Sequence, residues 1–456
     1  MALAMVFDKF AKSSPVAVMA RGLMERALEP SALDALFREH SERLYEKELL
    51  FSSLVDLMAL VVCGVHPSVR TAYLSMRERL PVSLTALYAK LNGVEVGTSQ
   101  ALVTASAQRL GPVLASLGRA PEPWLPGYRV KALDGNHIAS TERRLSVLRD
   151  CAAGPLPGQS LVVLEAETGL AIQMVGCEDG HAQERSLLGP ILDGVEPKDV
   201  YIADRNFCTL GFEFGVAKRQ GFFVIRQHAQ TPVVSTGTLR RRGRVEGGEV
   251  FEQPATLRLG EQELKIRRVV VRLDTPTRDG DTELAILTQL PTSAADSATV
   301  AILYRRRWTI ESLFARVERN LQSELSTLGY PGAALFAFAV ALVASNIFTV
   351  VHCAMMKVLE DRTETGANPA VLSDFAIVEE IRSVHRGMSL AIDDQHWRPF
   401  RDQTPQRFAA TLLGWAQEIR WTQFRRSSRG PKGPRRKRSR FLNTPHVATA
   451  RLLGRA

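Results

Sequence analysis

Three acidic residues in well-separated parts of the chain have side chains and local contexts suited to metal-dependent chemistry: Asp134, Asp204 and Glu311. Each aspartate directly follows a short apolar run that predicts a β-strand, and Glu311 lies in an amphipathic segment that predicts a helix. Three carboxylates gathered at one place can hold two hard divalent cations, which together support an in-line displacement at phosphorus. The sequence therefore raises the question of whether the fold brings these three residues together.

Glu311 belongs to a segment, Tyr304 to Glu318, in which one side of a predicted helix is polar and charged. At about 100° per residue, that face carries Tyr304, Arg307, Glu311 and Glu318. An apolar stripe beside it would attach the helix to a core. Two interpretations of Glu311 are open, because it could bind a metal ion or form an ion pair with Arg307 four residues earlier.

The elements that would position the two aspartates form an α/β pattern between residues 128 and 226. Strands and helices are predicted in the order β-β-β-α-β-α-β, which is that of the ribonuclease-H-like scaffold. Asp134 and Asp204 follow its first and fourth strands. For one aspartate alone, a turn or a helix cap is the simpler explanation. The predicted strands are 128–133, 160–167, 170–177, 199–203 and 222–226, and the predicted helices are 182–192 and 209–219.

The chain divides into a helical N-terminal domain, an interrupted α/β core and a basic tail. Clustered prolines at 121–127 end the helical domain. Within it, helices at 83–91 and 98–110 predict either a helix-turn-helix that recognises DNA ends or ordinary bundle packing. The predicted parts are the helical domain at 1–121, the first part of the core at 122–226, a β-rich insertion at 227–291, the second part of the core at 292–420 and the basic tail at 421–456.

Positive charge is concentrated in two places. The chain carries a formal net charge of +10, and residues 425–440 contain nine Lys or Arg and no acid, so the remainder carries only +1. That segment is also too rich in Gly and Pro to fold alone. The insertion adds a second group, and both suit a phosphate surface, although charge on a strand edge also prevents aggregation. The candidate DNA-binding residues are Arg240, Arg241 and Arg242 in the insertion and Arg435, Arg436, Lys437 and Arg438 in the tail.

Composition also indicates the cellular compartment of the protein. Residues 332–356 contain no Asp, Glu, Lys or Arg and are long enough to span a bilayer. Their Ala-rich composition, with Ser345, Asn346 and His352, favours a buried core helix instead. Five dispersed cysteines without C-x-x-C spacing argue against a disulfide framework or a structural zinc site. With no secretory pattern at the start, we expect a cytoplasmic protein without a membrane span.

Together these motifs resemble the DDE transposases of bacterial insertion sequences, specifically the insertion-sequence-four type with a β-rich insertion between the second Asp and the Glu. The resemblance covers roughly residues 125–350. It rests on three motifs of this sequence, which are Leu133-Asp134-Gly135, Ala203-Asp204-Arg205-Asn206-Phe207, and Tyr304, Arg307, Trp308, Ile310 and Glu311 at their set spacing.

The resemblance implies a ribonuclease-H-like core in which Asp134, Asp204 and Glu311 form a catalytic, metal-binding triad. It implies two Mg²⁺ ions, for which Mn²⁺ can substitute, and contacts from Tyr304 and Arg307 to phosphates at the transposon end. The implied substrate is double-stranded DNA, as terminal inverted repeats and as target, which a homodimer would pair. A cytoplasmic bacterial protein associated with the nucleoid when bound to DNA is implied as well.

The sequence departs from the family pattern at one position. The family has a Lys seven residues after the Glu, whereas this chain has Glu318. Arg316 and Arg319 point elsewhere on the helix. Two alternatives to a transposase therefore stay open: a catalytically inactive, transposase-derived DNA-binding protein, and a nuclease on the same scaffold that cuts without joining.

Overall fold

The first part of the chain is helical. The computed structural model describes residues 2–42, 48–119, 122–142, 145–151, 153–277, 280–363, 372–425 and 445–454. Side chains cap some of these helices, as where the Ser83 hydroxyl accepts a hydrogen bond from the Ala86 N–H at 3.1 Å. The helices in this part are α1 (Ala2–Ser13), α2 (Pro15–Ala27), α3 (Pro30–His40), α4 (Phe51–Val62), α5 (Val69–Ser75), α6 (Leu84–Asn92) and α7 (Val96–Ser116).

A mixed β-sheet with helices on both faces follows. Its strands are rich in β-branched and aromatic residues, as the sequence pattern requires. In chain order the elements are β1 (Arg129–His137), β2 (Gly154–Leu156), β3 (Gln159–Glu165), β4 (Ala171–Cys177), α8 (Leu188–Asp193), β5 (Asp199–Ala203), α9 (Leu210–Lys218), β6 (Phe222–Arg226), β7 (Val233–Ser235), β8 (Arg240–Val245), β9 (Gly248–Leu259), β10 (Gln262–Leu273) and β11 (Glu283–Thr288).

Helices complete the chain, apart from one short strand. They are α10 (Ser297–Arg305), α11 (Trp308–Asn320), α12 (Pro331–Thr363), α13 (Asp374–Ala391) and α14 (Pro405–Gln417), followed by β12 (His446–Ala448) and α15 (Thr449–Leu452).

The strand order of the main sheet is β4-β3-β1-β5-β6-β11-β10-β9-β7, with β8 paired to β9. Strands β1, β3 and β4 are antiparallel, whereas β5 runs parallel to both β1 and β6. This arrangement confirms the mixed α/β class and is consistent with a ribonuclease-H-like domain. Strands β5 and β6 have the bounds that the sequence predicted. The first strand is longer than predicted, because pairing with β3 continues to His137 opposite Gln159.

The β-rich segment extends the same sheet. Strand β11 pairs antiparallel with β6 at Ile286 and Arg226, and β10 and β9 continue outward from it. Residues 233–288 therefore share one hydrogen-bonded sheet with the strands that carry Asp134 and Asp204. Whether this segment is an insertion into the scaffold stays a prediction.

Helix α12 is the central helix of the core. It is long and apolar enough to cross a membrane by length and composition, but 94% of its most apolar window is buried inside the protein. It packs against α4, α7 and α14. The expectation of a buried core helix is confirmed.

One polar residue within α12 forms hydrogen bonds with the edge strand of the sheet. Asn346 is buried, and its amide accepts a hydrogen bond from the Ala171 N–H at 2.8 Å and donates one to the Ala171 carbonyl at 2.9 Å. From α7, the Gln100 side chain accepts from the Gly176 N–H at 2.9 Å. Helices α7 and α12 thus satisfy backbone groups on the outer side of β4, which would otherwise be an open edge.

The N-terminal helices share one hydrophobic core with α12, α13 and α14. In α7 Thr98 and Ser99 are fully buried, and the helix packs against β4 and α12. Gln108 and Pro112 lie on its exposed face, so DNA recognition by the pair of helices α6 and α7 stays a prediction. The domain limits stay predictions.

The end of the chain returns to the core. Strand β12 pairs parallel with β2, from His446 opposite Gly154 to Ala448 opposite Leu156. Arg451 forms an ion pair with Asp179 at 2.7 Å. The predicted tail residues Arg435, Arg436, Lys437 and Arg438 lie outside the described residues.

Candidate active site

The two aspartates are brought side by side by the register of adjacent parallel strands. Ala132 of β1 lies opposite Ile202 of β5, so Asp134 and Asp204 each stand two residues beyond this pair. At the other end of the two strands, Lys131 donates to the Asp199 carboxylate at 2.6 Å and helps hold the register. Asp134 lies within β1, which continues to His137, and Asp204 directly follows β5; the two positions are on neighbouring strands, and their joint role in a site stays a prediction.

Asp134 is mostly buried. Its carboxylate accepts a hydrogen bond from the Gly135 N–H at 2.9 Å. Burial raises the pKa of Asp134 to about 6, and the nearby Asp204 and Glu311 charges act in the same direction, while Arg307 opposes them. Its environment therefore disfavours the charged form, and a cation at this place would favour it.

Asp204 directly follows β5, whose residues are all buried. Its carboxylate caps the short turn Arg205–Phe207 by accepting from the Asn206 N–H at 2.7 Å. This hydrogen bond occupies one carboxylate oxygen of Asp204. The position of Asp204 is compatible both with a capping role and with a role in the site.

The segment that carries Glu311 is not the single helix that the sequence predicted. Helix α10 ends at Arg305, and α11 begins at Trp308. Between them, short-range hydrogen bonds close a tight turn, including Arg307 N–H to the Tyr304 carbonyl at 3.0 Å.

This break has a packing reason. Leu303 and Tyr304 pack in a core cluster with Val200 and Ile202, whereas Ile310 and Leu313 of α11 pack in the cluster around α12. One straight helix could not direct these residues into two different cores. The tight turn redirects the apolar face and leaves Arg307 between the two helices.

Arg307 joins two members of the predicted triad. One guanidinium nitrogen lies 2.9 Å from the Asp134 carboxylate and the other lies 2.7 Å from the Glu311 carboxylate. The Arg307 side chain is only 12% exposed. Glu311 thus forms the ion pair with Arg307 that the first interpretation expected. The same arginine also contacts Asp134, which is the neighbour that the metal-binding interpretation required.

Tyr304 is buried beneath this arginine. Its burial raises the pKa of the phenol, and the charge of the neighbouring Arg307 lowers that pKa. In this position Tyr304 supports the guanidinium from the core side. A contact between Tyr304 and a DNA phosphate stays a prediction.

The donor chemistry of the site suits a hard divalent cation, because carboxylate oxygens are the ligands that such ions prefer. Among the residues that the structure describes, no three His, Cys, Asp or Glu side chains stand close enough together to hold a metal ion. Arg307 bridges two of the three expected ligands and supplies their positive charge. These carboxylates have the chemistry that a cation needs, and a bound cation would have to displace this guanidinium.

A pocket of about 400 Å³ opens beside Asp134 and Glu311, and Glu318 and Glu324 also line it. The Glu324 carboxylate accepts a hydrogen bond from the Ala139 N–H at 3.1 Å, and burial raises its pKa. The position at which the family has a Lys therefore lies on the wall of an acidic pocket. Sequence reasoning missed Glu324, since it follows the end of α11 and belongs to no motif.

The arginines of the β-rich segment are partly neutralised. Arg241 pairs with Glu249 at 2.9 Å across β8 and β9, and Arg267 forms a buried pair with Glu252 at 2.7 Å. Arg240 and Arg242 are exposed on β8. Contacts from Arg240, Arg241 and Arg242 to DNA stay predictions.

Comparison with known families finds a similarity over part of the chain. Residues 159–347 match the model of a family described as "Transposase DDE domain". The matched range contains Asp204, Glu311 and strands β3 to β11, and it begins after Asp134. This part of the chain is therefore similar to the DDE domain of transposases.

A similar curated protein comes from Sinorhizobium fredii (strain NBRC 101917 / NGR234) and is named "Putative transposase y4zB". It is 29% identical over 164 residues, which cover 34% of this chain and 44% of the relative. The match therefore spans less than half of that relative's length. Both similarities support the transposase family, and the insertion-sequence-four type stays a prediction.

Proposed function

We propose that this protein is a DNA transposase that catalyses metal-dependent cleavage and strand transfer at the ends of an insertion sequence. One observation carries the proposal: the β1–β5 register sets Asp134 beside Asp204, and Arg307 ties Asp134 to Glu311. What supports the proposal is that two of the three acids lie on neighbouring strands and the third is joined to one of them through Arg307.

In this proposal Asp134, Asp204 and Glu311 hold two Mg²⁺ ions, for which Mn²⁺ can substitute. When bound, such ions activate a water or a 3′-hydroxyl and stabilise the leaving oxygen. Arg307 leaves the carboxylates and binds a phosphate of the transposon end, for which its planar guanidinium is well shaped. Tyr304 orients Arg307 from below.

The proposed partner is double-stranded DNA, as terminal inverted repeats and as target. Arg240, Arg241 and Arg242 and the basic cluster 435–438 would contact its phosphates without reading sequence. Two copies would pair the ends as a homodimer in the bacterial cytoplasm.

The test is cleavage of a duplex that carries the inverted repeats flanking this gene, with Mg²⁺, by wild type, Glu311→Gln and Asp204→Ala. We expect cleavage by wild type only, with DNA affinity retained in both variants. A wild type that binds but never cuts would favour an inactive DNA-binding protein. Cutting without joined products would favour a nuclease.

The same cleavage assay, with Glu318→Lys added, tests whether Glu318 leaves this copy active or has inactivated it. If wild type is inactive and Glu318→Lys restores cutting, the acidic pocket wall has disabled this copy. If wild type cuts, Glu318 is compatible with catalysis.

A further inference from the structure

A further carboxylate, Glu184, touches both segments that carry the aspartates. It begins the short turn Glu184–Leu187, and its side chain is 16% exposed. The Asn206 side-chain amide donates a hydrogen bond to its carboxylate. On the other side it lies against β1, where a Cβ built on Gly135 would fall 2.0 Å from the Glu184 carboxylate.

Glu184 lies on the opposite face of the sheet from Arg307. Successive side chains of a strand point to opposite faces. Asp134 points toward Arg307, so the position of Gly135 faces the other way, where Leu133 packs with helices α8 and α9. The Glu184 carboxylate fills the space beside Gly135. This placement separates it from the carboxylates that would hold metal.

The turn that contains Glu184 holds the Asp204 loop at two points. Besides the Glu184 contact, the Arg185 guanidinium donates to the Asn206 carbonyl at 2.9 Å. Asn206 in turn donates its N–H to Asp204 at 2.7 Å. A chain of hydrogen bonds therefore runs from Glu184 through Asn206 to the Asp204 carboxylate.

The turn itself is held by the sheet. The Gln159 side chain of β3 donates to the Ala182 carbonyl at 2.5 Å and to the Asp179 carbonyl at 3.3 Å. Glu184 is thereby fixed relative to the strand that neighbours β1.

We propose that Glu184 is a positioning residue, which sets the Asp204 loop relative to the Asp134 strand and takes up the space that a side chain at position 135 would occupy. This inference rests on the proposed transposase activity for its catalytic consequence. Its structural part does not depend on that activity. The side-chain acceptor matters for this role, and the negative charge does not.

The first test compares Glu184→Gln with Glu184→Ala in the cleavage assay. Gln keeps an oxygen that accepts from Asn206, so we expect near wild-type kcat. Ala removes the acceptor, and we expect kcat to fall roughly 10- to 100-fold with an unchanged KM for DNA. If Glu184→Gln is as inactive as Glu184→Ala, the charge is essential and the positioning role is wrong. The matched control is Glu246→Ala, since Glu246 is 85% exposed on the β-rich segment.

The second test uses no activity. Hydrogen–deuterium exchange of the peptide spanning 204–208 should be faster in Glu184→Ala than in wild type and unchanged in Glu184→Gln. If wild type cuts no DNA, the proposed function fails while this measurement still decides the positioning role. Unchanged exchange in Glu184→Ala would overturn it.

The third test uses the contact with Gly135. Gly135→Ala should displace Glu184 and speed exchange at 204–208, but it should add nothing in the Glu184→Ala background, where the space is free. Additive effects in the double variant would show that the two positions act independently.

Discussion

At the residue scale, the decisive contacts are the two ion pairs that Arg307 forms, with Asp134 at 2.9 Å and with Glu311 at 2.7 Å. A guanidinium between two carboxylates balances their charge without a metal ion. In the proposed function the same arginine leaves these carboxylates for a DNA phosphate. Binding of DNA and binding of cations would then be coupled through one side chain, and the coupling would be reciprocal.

The first prediction concerns this competition. Arg307→Ala should raise the affinity of the DNA-free protein for Mn²⁺ roughly tenfold or more at pH 8, because a competing unit charge is removed. Titration followed by Mn²⁺ paramagnetic resonance measures it. Arg305→Ala is the control, since Arg305 pairs with Glu246 at 2.8 Å on the surface. Equal or weaker affinity in Arg307→Ala would contradict the competition.

The second prediction concerns a buried acid beneath the sheet. Glu213 of α9 is fully buried, and its carboxylate accepts from the Cys208 thiol at 3.3 Å. Burial raises its pKa from 4.5 to about 7. The neutral form is favoured in the folded state, so this contribution to stability is fully present below pH 4.5 and is lost as pH rises through 7.

Glu213→Gln should remove that dependence. Between pH 5 and pH 8 the free energy of unfolding of wild type should fall by on the order of 3 kcal/mol more than that of the variant. Urea unfolding at the two pH values measures the difference. Parallel pH profiles for the two proteins would show that Glu213 does not titrate as expected.

At the element scale, two features adapt regular helices to the sheet. Because of the tight turn between α10 and α11, the apolar residues of the two helices pack in two different core clusters, and Arg307 lies between the helices. Helix α12 covers the edge strand β4 with an amide that replaces a missing neighbouring strand. In both cases a polar residue within an apolar context has a partner in another element.

The third prediction follows from the edge contact. Asn346→Ala leaves the Ala171 backbone groups buried without their partner, so the free energy of unfolding should fall by roughly 2–4 kcal/mol. Asn346→Leu should not restore it, because the amide and not the volume is needed. Gln108→Ala, at an exposed position of α7, is the control. A loss repaired by Leu would point to packing instead.

At the scale of the whole molecule, helices pack against both faces of the sheet, and strand β1 contributes to the core on each face. Clusters on both sheet faces contain residues from β1, and the N-terminal helices pack with α12 to α14. Arg425 pairs with Leu372 in this core, and the described chain is part of the core again at β12 and at Arg451, which pairs with Asp179. The basic cluster 435–438 lies between these two contacts in the sequence.

The fourth prediction tests that segment on DNA. Replacing Arg435, Arg436, Lys437 and Arg438 with Ser should reduce the salt slope of DNA binding by about three to four units, because each phosphate contact contributes about 0.9. Affinities measured between 50 and 200 mM salt give the slope. Arg258→Ser is the control, since Arg258 pairs with Glu263 at 2.8 Å. An unchanged slope would place the cluster away from the DNA.

The sequence by itself determined several local elements and the choice of the three candidate acids. Strands β5 and β6 were predicted to the residue, since buried runs bounded by polar turns depend on local pattern alone. The core helix α12 was predicted for the same reason. Asp204 at the end of β5 and Glu311 on an amphipathic helix followed from these elements.

Only the tertiary structure decided what those residues contact. The break at Arg306–Arg307 could not be predicted, because helical periodicity continues through a tight turn while the two cores differ only in space. The bridge from Arg307 to Asp134 joins residues far apart in the chain, as does the Glu184 contact with Asn206. Such contacts depend on strand register and sheet face, which packing of the whole chain determines.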